Sequence, residues 1–252
     1  MHLFHRRMGQ GPPIVILHGL FGSSDNWGSL ARDLSNDHEV VLVDARDHGR
    51  SPHTDRITYP LMADDLFELL AELDLRDIVL VGHSMGGKTA MTFTQQHPQL
   101  VRELVVVDIG PREYTISYHA AVVEALSRID LTTATTRSEV EAHMARYVKE
   151  PGMVQFLMKS LYWQEPGELA WRFNVPVLAR HMGDILGAIP PGRVTVPTLF
   201  IQGGRSDYIT REDFPAIREQ FSNCRIEEIP FAGHWVHAQA PDEVLALIRS
   251  VA

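Results

Sequence analysis

The chemistry of this chain concentrates in one stretch, VLVGHSMGGKTA, running from Val79 to Ala90. Gly82, Ser84 and Gly86 fit G-x-S-x-G, a spacing that sets a serine hydroxyl on a sharp strand-to-helix turn, free to attack a carbonyl. Gly82, Gly87, Lys88 and Thr89 equally fit G-x-x-x-x-G-K-[ST], a loop whose N–H groups cradle phosphates while the lysine neutralises them. Both patterns need an apolar strand before them and a helix after them, and "DIVLV" and "TAMTFTQQH" supply both. The local sequence leaves a nucleophile and a phosphate cradle side by side.

The elements that must position these residues alternate along the chain. Short runs rich in Val and Ile recur: "IVIL" from Ile14, "VVLVD" from Val40, "IVLVG" from Ile78, "LVVVD" from Leu104, "TLFIQ" from Thr198 and "RIEEI" from Arg225. Most are too continuous for strands with one wet face, so they predict an α/β fold with a mostly parallel central sheet flanked by helices. Between the second and third runs, Met62, Leu66, Leu69, Leu70 and Leu73 form one helical stripe, with Thr58 as its N-cap. At the end, Pro241, Asp242 and Glu243 open a closing helix whose Val244, Leu247, Ile248 and Val251 share a face.

From Pro111 to about Pro197 the alternation breaks, and helical patterns such as "YHAAVVEALSRI" and "SEVEAHMARYV" follow one another without a convincing strand. The expected organisation is a core of residues 1–110 and 197–252 carrying a helical cap of residues 111–196. The cap is rich in Met and aromatic side chains, among them Tyr114, Tyr118, Met153, Phe156, Trp163 and Trp171. Most should pack a small core of its own, and some should line an apolar pocket.

Bulk properties narrow the partners. A chain of 252 residues suits one large core, and 23 Lys plus Arg against 32 Asp plus Glu, a formal charge of -9, disfavours nucleic acid or an anionic membrane. The single cysteine, Cys224, allows no internal disulfide and suits a reducing compartment. No apolar run approaches a membrane span, so the chain reads as soluble and cytoplasmic, without stable membrane insertion.

The phosphate reading finds support in "LVVVD", whose Asp108 resembles the acid that holds magnesium in nucleotide hydrolases. It leaves "HGLFG" at 18–22 and "GHWVH" at 233–237 without a task. A serine nucleophile uses both. Ser84 needs a base to take its proton, an acid to orient that base, and N–H groups to meet the oxyanion. His234 follows the last strand and supplies the base; the N–H groups of Leu20 and Met85 supply the oxyanion hole. His237, three residues further on, is expected at the start of the closing helix, and His18 and His83 are expected to shape loops by hydrogen bonding. In this reading Lys88 is an ordinary helix residue. No H-E-x-x-H or comparable spacing occurs, so no metal is expected.

Six blocks, "HGLFGSSDNW", "VDARDHGRSP", "GHSMGGK", "VVVDIGP", "WRFNVPVL" and "AGHWVHAQAPDEV", together resemble the YbfF-type esterases of the α/β-hydrolase superfamily and span nearly the whole chain outside the middle of the cap. The resemblance implies a cofactor-free Ser-His-Asp hydrolase of small-molecule carboxylic esters or thioesters, with a helical cap over its pocket. It also implies Asp108 as the acid, since such esterases place an aspartate there. Most α/β-hydrolases instead carry the acid in a G-x-x-D pattern after the strand before the last. In "QGGRSDYIT" that count from Gly203 lands on Ser206, with Asp207 one residue late. Asp108 is preferred and Asp207 is the alternative. Serine at the turn argues against dehalogenase and epoxide hydrolase chemistry. C–C bond hydrolysis, perhydrolysis, a ligand receptor on the same fold and the phosphate-loop nucleotide hydrolase are the competing readings. Apolar cap residues suggest acyl groups of short to medium length; the natural acyl chain, leaving group and oligomeric state are not encoded legibly.

Overall fold

A computed structural model of the chain describes residues 1–115 and 117–252, and of Ser117 and Tyr118 the backbone only. The Tyr118 side chain expected in the cap therefore lies outside the described residues. Nine strands are described: β1 (His5–Met8), β2 (Pro13–Leu17), β3 (Glu39–Val43), β4 (Ile78–His83), β5 (Val101–Val107), β6 (Leu161–Glu165), β7 (Glu168–Trp171), β8 (Thr198–Gly203) and β9 (Cys224–Ile229). Seven of them form one sheet in the order β1-β3-β2-β4-β5-β8-β9, parallel except for β1.

Strand residues alternate between the two faces, as the period of two requires. Ile14, Ile16, Val40, Leu42, Val79 and Val81 pack on one side against Leu30 and Leu34 of α1 (Gly28–Leu34). Val15, Leu17, Val41, Val43, Leu80 and Val106 face the other, toward α2 (Tyr59–Glu72) and α3 (Met85–Gln96). Both faces are dry, which is why these strands read as continuous apolar runs. Thr58 caps α2 as expected, its side chain accepting from the Leu61 N–H.

Two sets of strands were not legible as such. β1, with the sequence HRRM, is a short polar strand paired antiparallel to β3 at the edge of the sheet, where charge guards against further pairing. The hairpin β6–β7 interrupts a stretch that the pattern makes wholly helical; it follows α4 (Ser117–Arg128), α5 (Arg137–Tyr147) and α6 (Pro151–Met158). Its strands are short and carry Glu165 and Glu168, so they lack an apolar run. Pro166-Gly167 between them, with Gly167 at φ 89°, is the turn signal that marks it. After it come α7 (Val175–Arg180) and α8 (Met182–Leu186), then β8, α9 (Phe214–Gln220), β9, α10 (Val236–Gln239) and α11 (Pro241–Arg249). The apolar residues of this segment, such as Val140, Met144, Leu157 and Leu178, join the same core as the sheet face and do not form a separate one.

Buried polar ties fix the loops above the sheet. Arg46, after β3, makes a paired contact with Asp65 of α2, Nε to Oδ2 at 2.6 Å and Nη2 to Oδ1 at 2.8 Å. Asp47, fully buried, accepts from Thr54 and from the Asn174 side chain, which joins the "VDARDHGRSP" block to the "WRFNVP" block.

The turn from β4 into α3 depends on close backbone approach. A Cβ on Gly82 would stand 2.3 Å from the Gly86 carbonyl oxygen, and one on Gly86 would stand 2.5 Å from the oxygens of Leu17 and His18. Neither neighbour is a flexible side chain. Gly86→Ala should therefore lower stability by about 1–3 kcal/mol, the usual cost of overpacking. Gly183→Ala in α8, where a Cβ meets nothing within 4 Å, should leave stability unchanged or raised. Thermal unfolding of the two variants checks the contrast.

Candidate active site

Ser84 stands between β4 and α3 with φ 53° and ψ −119°, a conformation an L-residue adopts at a cost of order 1–3 kcal/mol. Its own N–H donates to the Val107 carbonyl, which fastens the turn to β5. The side chain lines a cavity of about 630 Å3 together with Leu20, His234, Met153, Phe156 and Trp235.

Asp108 follows β5, also at positive φ (49°), and is fully buried. Three donors surround its carboxylate: the Gly203 N–H at 2.9 Å on Oδ1, and His234 Nδ1 at 2.8 Å and the Ser206 hydroxyl at 2.5 Å on Oδ2. With an acceptor facing it, Nδ1 is the donor, and in the neutral imidazole Nε2 then holds the lone pair. The His234 ring lies against Tyr208, centroids 3.7 Å apart and 15° from parallel. Its backbone carbonyl accepts from His83 Nε2 at 2.9 Å. Asp207 is exposed; among the described residues no hydrogen bond joins its carboxylate to His234.

The structure thus brings Ser84 and His234 to one cavity and Asp108 to His234, and leaves Asp207 outside that contact. Leu20 lines the cavity beside Ser84, and its N–H has no backbone partner among the described residues. Met85 is the first residue of α3, where N–H groups lack intrahelical acceptors. Ser206 and Tyr208 are the residues that sequence reasoning passed over. Ser206 had a signal, since it occupies the place where the G-x-x-D count puts an acid.

Around this centre the histidines are buried and neutral. His18 Nε2 accepts from the Ala45 N–H while Nδ1 donates to the Gly19 carbonyl, and His48 similarly joins the Phe21 N–H to the Arg46 carbonyl. Burial lowers the pKa of His18, drives His48 to about 3, and holds His83 well below its ordinary value. His18 and His83 shape loops, as expected. His237 lies in α10, a short helix ahead of the closing helix α11 and not at its start, because Pro241 begins a new helix. Its buried ring stacks on Trp27 at 4.4 Å and leans on His83 at 4.6 Å.

Lys88 departs most from expectation. It is among the largest fully buried side chains, and its Nζ donates to the carbonyls of Arg112 (2.7 Å), Leu186 (3.3 Å) and Gly187 (2.5 Å). Burial, with a smaller push from Arg112, lowers its pKa to about 7 against an opposing pull from Glu113. A lysine engaged in this way is not presented to a phosphate, and the phosphate-loop reading fails on that geometry. It is not an ordinary helix residue either. Among the described residues no group of three or more His, Cys, Asp or Glu is placed to hold a metal ion, and no helix is long and apolar enough to cross a membrane.

Residues 12–241 match the family described as alpha/beta hydrolase fold. The chain is 42% identical over 237 residues to Esterase YbfF of Escherichia coli (strain K12), covering 94% of this chain and 91% of that one. It is 40% identical over 250 residues to the sn-1-specific diacylglycerol lipase ABHD11 of Danio rerio, covering 95% and 78%. A solved marine microorganism esterase superposes with a TM-score of 0.96 at 40% identity, covering 99% of both chains. The chain belongs to the alpha/beta hydrolase fold family. Within it, the chain is an enzyme of the ester-hydrolysing kind.

The buried imidazoles set a dependence of stability on acid. His237 has a folded pKa of about 3, lowered mainly by burial and then by His234 and Lys159, against about 6.5 in an unfolded chain. Its contribution is fully present above pH 6.5 and is lost as pH falls toward 3, because the unfolded chain binds the proton first. His237→Phe, which keeps the stack on Trp27, should make the loss of stability between pH 6 and 4 shallower by about 1.4 kcal/mol per pH unit. Denaturant unfolding at a series of pH values measures the slope.

Proposed function

We propose that the chain is a serine carboxylester hydrolase in which Ser84 is the nucleophile, His234 the general base and acid, and Asp108 the residue that orients the base. The observation that carries the reading is the 2.8 Å bond from His234 Nδ1 to a carboxylate with no exposure to water, beside a cavity that Ser84 also lines. His234 Nε2 takes the Ser84 proton as Oγ bonds to the ester carbonyl carbon. The alkoxide then leaves with that proton, and an acyl-enzyme remains. Water gives a proton to the same nitrogen, attacks the acyl carbon, and releases the acid and the free serine. The N–H groups of Leu20 and Met85 meet the oxyanion in both steps, a contribution of about 3–4 kcal/mol for one such donor.

The Ser206 hydroxyl shares Oδ2 of Asp108 with His234, so it helps to hold the carboxylate in register. Residues 111–196 act as a cap of helices and one hairpin, since Met153 and Phe156 of α6 form part of the cavity wall. That apolar wall favours esters with an apolar arm, and thioesters share the same carbonyl chemistry.

Ser84→Ala should abolish turnover of p-nitrophenyl esters and the mass shift produced by a serine-directed fluorophosphonate. Asp108→Asn should lower kcat by about 10⁴-fold, the order seen when a triad acid is removed, whereas Asp207→Asn should change it only slightly. Steady-state kinetics and intact mass measure these effects, and the reverse ranking of the two aspartates would reassign the acid.

A further inference from the structure

A carbonyl bound to Ser84 sends two arms in different directions, and two spaces of very different size adjoin that residue. One is the cavity of about 630 Å3; the other is a slot of about 20 Å3 walled by Tyr59, Ile109, Tyr114, Ile185 and Leu186. A void of that size barely exceeds the room one water needs, so the slot takes a methyl-sized group. His234 lines the large cavity and not the slot. A leaving oxygen must collect its proton from that imidazole, so the alcohol arm belongs in the large cavity. The slot can then take only the acyl arm.

The far wall of the slot is the end of α8, whose last carbonyls have no partner within the helix. Tyr59 Oη donates to the Ile185 carbonyl and the Tyr114 N–H to that of Leu186. Lys88, one turn after Ser84, holds the Leu186 and Gly187 carbonyls with the same Nζ that holds the Arg112 carbonyl. One amino group thereby fastens both crossings of the 111–196 segment to α3. The nitrogen also lies 4.8 Å from the centre of the Tyr114 ring and 5.7 Å from that of Tyr59, two of the slot's walls.

We propose that Lys88 is a specificity-determining positioning residue: by pinning α8 and the start of the cap to α3 it keeps the slot at methyl size, and so confines the acyl arm to acetyl-like groups while the large cavity takes the alcohol. This rests on the ester-hydrolase reading above. Lys88 itself lines part of the slot, and it sets the size of the slot through the carbonyls of Leu186 and Gly187.

The test is kcat/KM for p-nitrophenyl acetate, butyrate and octanoate on the wild type, Lys88→Met and Leu186→Ala, with amide hydrogen exchange measured alongside. The wild type should favour acetate. Both variants should raise the butyrate-to-acetate ratio at least tenfold, through a lower KM for butyrate, whereas a purely structural lesion would scale all three esters equally. Leu186→Ala widens the slot without touching Nζ, so it tests the slot even if Lys88→Met folds poorly. Independently of any substrate, the Gly187 and Ile189 amides, bonded to Gly183 and Pro111, should exchange at least tenfold faster in Lys88→Met. Equal ratios in all three proteins, or a wild type that prefers octanoate, would overturn the assignment of the slot, and unchanged exchange would overturn the pin. A wild type inert toward every ester would instead remove the hydrolase reading, with the exchange result still deciding whether Lys88 is a pin.

Discussion

A carboxylate removed from water is tolerated only when donors surround it, and the architecture above the sheet is organised around one such group. Asp108 is fully buried and accepts from three donors belonging to two separate stretches of chain: Gly203 at the end of β8 with Ser206 just beyond it, and His234 after β9. Losing any of them would leave a buried charge short of a partner, which costs far more than an ordinary hydrogen bond. The loops that end β5, β8 and β9 are therefore locked into one arrangement by electrostatics. The neighbouring order of those strands in the sheet makes that arrangement reachable.

The same logic explains the neutral histidines nearby. His18 and His48 each use one ring nitrogen as donor and the other as acceptor, which a protonated ring could not do. Their role is to satisfy backbone groups in loops that would otherwise bury unpaired N–H and C=O groups. Lys88 does the equivalent for the C-terminal carbonyls of α8, at the cost of placing an amine where its charge is disfavoured. Polar side chains thus add directed ties to the apolar packing that joins the segment between β5 and β8 to the sheet.

Local signals were strong where one element decides its own shape. The strands from Ile14, Val40, Ile78, Leu104 and Thr198 are buried on both faces and announce themselves as apolar runs; the α2 stripe and its Thr58 cap are equally plain. The close backbone approach at Gly82 and Gly86 follows from the G-x-S-x-G spacing, since only glycine leaves room there. The edge strand β1 and the β6–β7 hairpin were hidden because β1 is short and polar and the hairpin strands are only four and five residues long, too short for an alternating pattern to stand out.

By itself, the sequence determined the class of fold, the serine at the strand-to-helix turn, and the short set of residues able to serve it, because strand burial, turn chemistry and chain order are written in nearby residues. It named two aspartates, preferring Asp108 on a resemblance and keeping Asp207 as the alternative, and it offered Lys88 two roles, neither of which it plays. Those choices belong to tertiary structure. Which carboxylate meets His234 depends on how three loops from different strands converge, and what a lysine binds depends on which carbonyls a segment about a hundred residues later brings to it. Such meetings are set by the packing of the whole chain, and no window of sequence contains them.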